Sequence, residues 1–313
     1  MPLATPFTAH IDICNVCNFK CKFCFQADDE AIKSKGLKRG FMKYEIFCKI
    51  CDDLSAFPEK LKKVKIGVLG EPTLHNQLPE MITYVKASNC ADIVEMFTNA
   101  SMLKPELCHK IVGAGLDRIN ISIEAVEDAN YKEITQSNVN FKEIVKNVQY
   151  LYENRKQLKL YVKIADTGLS DEEKHKFYDI FGNICDEIFI EIVTPQWSES
   201  NKLGLKLAGI YGQEITRRKY VCPYIFMHMQ FVYDGTIVIC PIDWATSIPL
   251  GHVSADSIID VWNGDLLRKN QILHLEKKRF EIPFCQNCSA SETCCLDDLD
   301  DDAEEILQRI LKR

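Results

Sequence analysis

The 313-residue sequence predicts an α/β fold: an open, partial (β/α)6 barrel, then a small cysteine-rich domain with a β-hairpin and a C-terminal helix. Three observations carry this. Short apolar runs alternate with segments of helical periodicity. A cysteine triplet follows the first of those runs, and six of the fifteen cysteines lie after residue 221. The strand candidates are Phe7 to Ile13, Val64 to Leu69, Ile93 to Thr98, Arg118 to Ile123, Leu160 to Ala165 and Glu187 to Val193. Between them the periodicity predicts helices over Tyr44 to Ala56, Leu78 to Ser88, Pro105 to Gly113 with proline in its first turn, Phe141 to Lys156, and Asp171 to Phe181.

Strand-helix units in parallel order give a sheet covered by helices on one side. With six units rather than eight it should stay open, with its chemistry on the loops after the strands. Cys17, Cys21 and Cys24 occupy the first such loop in the spacing C-x3-C-x2-C, with Phe23 just before the last. Three thiolates on a four-iron cluster leave one iron free for a small molecule, whereas a structural zinc takes four ligands. Cys14 completes two C-x2-C pairs, Cys14/Cys17 and Cys21/Cys24, which would suit one zinc. Pairs so close in sequence would need a very tight loop, and Cys14 reads more simply as the last buried residue of the first strand.

A hydrophobic content of 46% can bury one large core and a smaller one. No basic n-region, long apolar run or small-residue cleavage site marks the start, so neither secretion nor membrane spanning is expected. A cytoplasmic setting is expected, where clustered cysteines are metal ligands rather than disulfides. Net charge of -7 without a Lys/Arg block argues against nucleic acid as a partner. Cys48, Cys51, Cys90, Cys108 and Cys185 lie singly and read as packing residues.

The stretch Cys17-Asn-Phe-Lys-Cys-Lys-Phe-Cys24 resembles the radical S-adenosylmethionine (SAM) enzymes. The resemblance implies a 4Fe-4S cluster whose open iron is chelated by SAM, and an electron from a flavodoxin or ferredoxin-type reductant that cleaves SAM to a 5'-deoxyadenosyl radical. Leu69-Gly-Glu-Pro resembles the family's Gly-Gly-Glu-Pro and implies that Gly70 and Glu71 meet the SAM amino group. Leu69 stands where the family has glycine. Thr98-Asn99-Ala100 resembles Thr-Asn-Gly near the cofactor, and Ser122-Ile-Glu124-Ala resembles Ser-Ile-Asp-Gly, implying contacts from Ser122 and Glu124 to the ribose and methionyl end. Phe23 joins this cofactor set.

The second cysteine group reads Cys222-x12-Gly235-x4-Cys240, then Cys285-x2-Cys288-x5-Cys294-Cys295, with an Asp-Gly hairpin turn inside Gln230 to Cys240. This resembles the SPASM/twitch domain, which carries auxiliary iron-sulfur clusters. The implied layout is a barrel over 1–205, a linker over 206–221, the auxiliary domain over 222–300 and a final helix over 301–313. Two ligated clusters would need eight ligands and the region has six cysteines, so one auxiliary cluster on Cys222, Cys240, Cys285 and Cys288 is expected. Cys294 and Cys295 leave a second open. Asp297 to Glu305 suit the dipole of the final helix.

The layout resembles the twitch-bearing aminocyclitol dehydrogenases, which implies oxidation of a small polar metabolite, an alcohol to a ketone, with the auxiliary cluster as electron acceptor. Only sixteen residues precede Cys17, so a small molecule is expected rather than a leader-guided peptide, with a peptide-modifying enzyme as the alternative. A non-catalytic zinc protein is the third reading. Candidate substrate groups are Lys163, Asp166, Glu191, the Gln196-Trp197 turn, Arg217, Arg218 and Tyr220, of which Lys163, Glu191 and Arg217 are the expected catalytic residues.

Overall fold

The computed structural model describes residues 3–194 and 208–312. Six parallel strands, β1 (Thr8–Ile11), β2 (Leu61–Ile66), β3 (Ala91–Thr98), β4 (Arg118–Ile123), β5 (Lys159–Asp166) and β6 (Glu187–Ile192), form the partial barrel. The connecting helices are α1 (Asp29–Ser34), α2 (Tyr44–Ser55), α3 (Leu78–Ser88), α4 (Pro105–Gly113), α5 (Asp128–Thr135), α6 (Phe141–Asn154) and α7 (Asp171–Phe181). The second lobe carries α8 (Tyr224–Met227), β7 (His228–Phe231), β8 (Thr236–Val238), β9 (Pro249–His252), α9 (Ile258–Trp262), α10 (Asp265–Leu275), α11 (Pro283–Gln286), α12 (Ala290–Thr293) and α13 (Ala303–Leu311).

Side-chain alternation along the strands divides the sheet into two faces. Ala9, Ile11, Val64, Ile66, Val94, Met96, Ile119, Ile121, Val162 and Ile164 are all buried in the core. Each full burial of such a large side chain contributes roughly 1.5–3 kcal/mol. The opposite parity carries His10, Asp12, Lys65, Glu95, Asn120, Ser122 and Lys163, so the barrel interior is polar. Ser170 and Glu173 form a reciprocal capping box that starts α7. Asn89, in the left-handed region, ends α3.

One expectation is corrected and two features are added. The second strand begins three residues earlier than expected and stops at Ile66, because Gly67 turns with φ of 72° and the amides of Val68 and Leu69 go to Asp12 instead of a neighbouring strand. Helix α5 was not anticipated, since only Tyr131 and Thr135 on it are buried and its apolar periodicity is weak. The hairpin of the second lobe, whose pairing partner the sequence left open, joins the barrel sheet. β7 pairs in parallel with β1, Ala9 opposite Met229, so the strand order runs β6-β5-β4-β3-β2-β1-β7-β8-β9. The expected boundary at 205/206 and the Gln196-Trp197 turn lie outside the described residues.

The second lobe is held by buried charge. Arg279, 1% exposed, donates to the carbonyls of Lys219 (2.6 Å) and Cys288 (2.7 Å) and pairs with Glu292 at 3.2 Å. Asp300 accepts the amides of Tyr220 and Val221, which fixes the entry to Cys222. Removing one partner of a buried pair leaves the other charge uncompensated. Arg279→Ala should therefore cost the metal-free protein about 3–5 kcal/mol, read as a lowered urea midpoint; a loss below about 1 kcal/mol would show that Glu292 finds another partner.

Candidate active site

The C-terminal ends of the strands converge on the loop of Cys17, Cys21 and Cys24. Asp12, completely buried at the end of β1, accepts the amides of Val68 (2.7 Å) and Leu69 (2.9 Å) and the side-chain amide of Gln230 on β7. The loop after β2 is thereby pulled onto the cysteine loop: Glu71 N donates to Val16 O at 2.8 Å and the Cys14 thiol donates to Glu71 O at 3.3 Å. Gly70 sits in this contact, where a Cβ would lie 2.5 Å from Cys14 O and 2.9 Å from Val16 O, so only glycine fits.

Glu71 is a bracket more than a free acceptor. Its carboxylate receives Thr73 N (3.0 Å), the hydroxyls of Thr73 (2.5 Å) and Thr98 (2.8 Å), and Asn99 N (2.7 Å). Asn99 Nδ2 in turn donates to Asn18 Oδ1 at 2.9 Å and faces Cys17 Sγ at 3.9 Å. Ala100, where the resembling motif has glycine, holds φ of 59°.

Burial pushes the Cys17 thiol up to about 11 and the Cys24 thiol up to about 12, and the Cys21 thiol well above its usual value. Cys24 and Cys17 raise Cys21 further, and Cys17 raises Cys24, so the three thiols are near neighbours. Iron binding would discharge those protons. Among the described residues no three His, Cys, Asp or Glu groups close to single-ion spacing, whereas ligands of a cubane sit on separate irons and stand further apart.

Beside the cysteines lies Glu124, 6% exposed, with Oε2 unpartnered among the described residues. Burial, then Glu191, raises its carboxyl to about 7, against the opposing pull of Lys163. Lys163 on β5 and Glu191 on β6 form an ion pair. Burial alone would lower the Lys163 ammonium, but Glu191 and then Glu124 outweigh it and raise it. Ser122 lies in register with Lys163. A cavity of about 400 Å³ adjoins them at the tops of β4 and β5, lined by Phe23, Ala125, Asn130, Gly168 and Leu169.

In the second lobe Cys222, Cys240 and Cys285 are buried and Cys288 half-buried. Burial, then Cys222 and Cys288, raises the Cys240 thiol, so these four thiols share one site. Cys295 hydrogen-bonds Cys222 and lowers it, while Cys294 neighbours both Glu191 and Cys222. Tyr211 also faces Glu191 and Lys163, because Ile192 N donates to Ile210 O and Ile210 N to Thr293 O.

The expected residues Glu124, Lys163 and Glu191 are brought together. Arg217 is not brought to them: it is half-exposed, bonded to Asp298 at 2.8 Å and 3.9 Å from Asp301, in a surface ion pair. Asp166 is spent on the amides of Gly168 and Leu169 and on Lys174. Arg218 packs over Phe280 and Tyr220 edges against the same ring. Residues that sequence reasoning missed are Tyr211, Gly168, Leu169 and the pair His10 and His228, whose ring nitrogens meet at 2.8 Å inside the barrel. Only the inward parity of His10 on β1 could have signalled that pair.

A profile of the radical SAM superfamily matches residues 11–181, and one described as an iron-sulfur cluster-binding domain, SPASM, matches residues 222–289. GTP 3',8-cyclase of Staphylococcus epidermidis is 28% identical over 188 residues, 58% of this chain and 53% of that protein. The chain spans about a third to a half of the length of such curated relatives. BtrN in complex with AdoMet and 2-DOIA shares the fold with a TM-score of 0.59 at 13% identity, over 94% of this chain and 97% of that one. Streptococcus suis SuiB bound to precursor peptide SuiA gives 0.66 at 16% identity, over 85% and 66%. The grouped thiols, the unpartnered Glu124 oxygen and the adjoining cavity fit a 4Fe-4S cluster with SAM.

Glu124 gives a pH test of the metal-free site. Its folded carboxyl binds a proton more tightly than the unfolded one, so its contribution is favourable below about pH 4.5 and is lost as pH rises to about 7. Glu124→Gln should stabilise the metal-free protein at pH 8 by roughly 2–3 kcal/mol and leave it unchanged near pH 4. Equal urea midpoints for the two proteins at pH 8 would mean that Glu124 is ionised at no cost.

Proposed function

The chain belongs to the radical SAM superfamily, and from that premise we propose that it oxidises a small polar metabolite, taking an alcohol carbon to a ketone. The carrying observation is Cys294, which neighbours Glu191 on one side and Cys222 on the other. An auxiliary redox centre held by Cys222, Cys240, Cys285 and Cys288 would have Cys294 between it and the polar mouth of the barrel. That is where an electron acceptor for a substrate radical is useful.

Bound in their sites, the first cluster with SAM supplies hydrogen-atom abstraction, and the auxiliary cluster supplies a one-electron acceptor. Cys17, Cys21 and Cys24 would hold the first. Phe23, Ala125 and Leu169 would enclose the adenosine, with Ser122 and Glu124 on its polar side. Glu191 takes the hydroxyl proton as the carbonyl forms, and Lys163 holds that carboxylate in place. Glu124, poised near neutrality, would meet the charged methionyl end of SAM when it is bound. One auxiliary cluster suffices for this reading, because the region offers six thiols where two fully ligated clusters would need eight ligands; Cys295 meets Cys222, and Cys294 lies near Cys222, Cys288 and Glu191.

Iron content tests the ligand sets. Reconstituted protein should hold about eight iron atoms per chain, and the Cys17/Cys21/Cys24 triple alanine variant about four with no 5'-deoxyadenosine formed. About twelve and eight would bring Cys294 and Cys295 into a second auxiliary cluster. The oxidation itself is tested by Cys288→Ala, at a half-buried ligand. This variant should still form 5'-deoxyadenosine but lose ketone product, with circular dichroism and gel filtration confirming the fold. Ketone formed at the wild-type rate without the auxiliary cluster would sink the dehydrogenase reading.

A further inference from the structure

We propose that the basic surface over residues 31–44 is the docking site of a flavodoxin that delivers the electron to the first cluster; the proposal rests on superfamily membership and not on the substrate. Residues 31 to 44 hold Lys33, Lys35, Lys38, Arg39 and Lys43 and no acid, in a chain of net charge -7. All five are exposed. No ion pair among the described residues involves Lys33, Lys35, Lys38 or Lys43, and Arg39 lies 3.6 Å from Asp29. The five charges are scattered over the eleven positions from Lys33 to Lys43, so they form no contiguous run in the sequence.

The surface is rigidly tied to the cluster loop. Asn15, two residues before Cys17, donates from Nδ2 to Lys38 O (2.7 Å) and accepts Gly40 N (2.8 Å). Gln26 accepts from Arg39 and donates to the carbonyls of Asn15 (3.0 Å) and Leu69 (2.8 Å). Gly40 lies against the ring of Tyr233, where a Cβ would come within 2.4 Å. Such a surface needs little ordering when a partner binds.

Beside this surface is a cavity of about 330 Å³, lined by Asp12, Phe25, Lys38, Arg39, Tyr233 and Trp244. It lies on the other side of the loop from the Phe23, Ala125 and Leu169 cavity. Phe25 follows Cys24 directly, and its ring stacks on Trp244 at 4.9 Å. A flavin presents a flat apolar edge and a flavodoxin an acidic rim. The aromatic cavity suits the first, and the ring of lysines, with exposed Phe41 beside it, suits the second. Acids do occur nearby: Asp29 is engaged by Lys20 at 2.6 Å, and Asp234 lines the far wall. Complementary charge of this kind acts chiefly on encounter rate and salt dependence.

The test uses the reconstituted full chain with oxidised flavodoxin in titration calorimetry, and with flavodoxin hydroquinone or dithionite as alternative electron sources for 5'-deoxyadenosine formation. The Lys33→Glu/Lys35→Glu/Lys38→Glu variant should bind flavodoxin at least tenfold more weakly and lose the salt dependence of binding. It should keep dithionite-driven SAM cleavage within about twofold. A control with the same charge change elsewhere, Lys62→Glu/Lys104→Glu/Lys110→Glu, should bind as wild type, and carbodiimide cross-links should map to Lys33, Lys35 or Lys38. Equal flavodoxin affinity in wild type and the first variant would overturn the proposal. So would equal weakening by the control, or binding of a ferredoxin with none of flavodoxin. Because binding and SAM cleavage are read without substrate, failure here leaves the alcohol-oxidation reading standing or falling on its own test.

Discussion

A buried carboxylate, Asp12, holds the site together. It joins β1, the loop after β2 and β7 through two backbone amides and one side-chain amide. Burial raises its carboxyl to about 6, against the lowering effect of those bonds, so near neutral pH the ionised form persists because the donors are in place. Hydrogen bonds to a charged group are worth about 1.5–3 kcal/mol each, and here they are spent on positioning. The Gly70 contact, the Glu71 bracket and the cysteine loop follow from the turn that Asp12 fixes.

Charge is distributed unevenly along the barrel interior. Deeper in the barrel, Lys63, Lys65 and Arg118 gather on one carboxylate, Glu95, which they hold below the usual value despite its burial. At the C-terminal mouth, Glu124 and Glu191 share one cation, Lys163. A positively charged cofactor end is accommodated best at that mouth. Burial, and then the neighbouring charges, keeps His10 and His228 neutral between these regions.

Much of the fold was legible from residue patterns. Strand β4 and helices α3, α4 and α7 fall where the periodicity put them, because each carries a buried stripe and the helices carry local end signals: proline in the first turn of α3 and α4, and a capping box on α7. Helix α5 was hidden by its thin apolar face. The cysteine spacings were also legible, since ligand spacing within one loop is a local property. The direction of Arg217 was not legible, because position in the sequence does not say which way a side chain turns; Asp298, eighty-one residues later, decides that.

The sequence by itself determined the two cysteine groups, the alternation of strands and helices, and the superfamily, because these depend on local spacing and on the periodicity of apolar residues. Only the tertiary structure decided that β7 extends the barrel sheet beside β1, that Cys294 bridges the neighbourhoods of Glu191 and Cys222, and that Glu124 keeps a carboxyl near neutrality. The physical reason is the same for all three. Strand pairing, thiol proximity and desolvation are set by groups brought together from distant parts of the chain, and no local pattern records those distances.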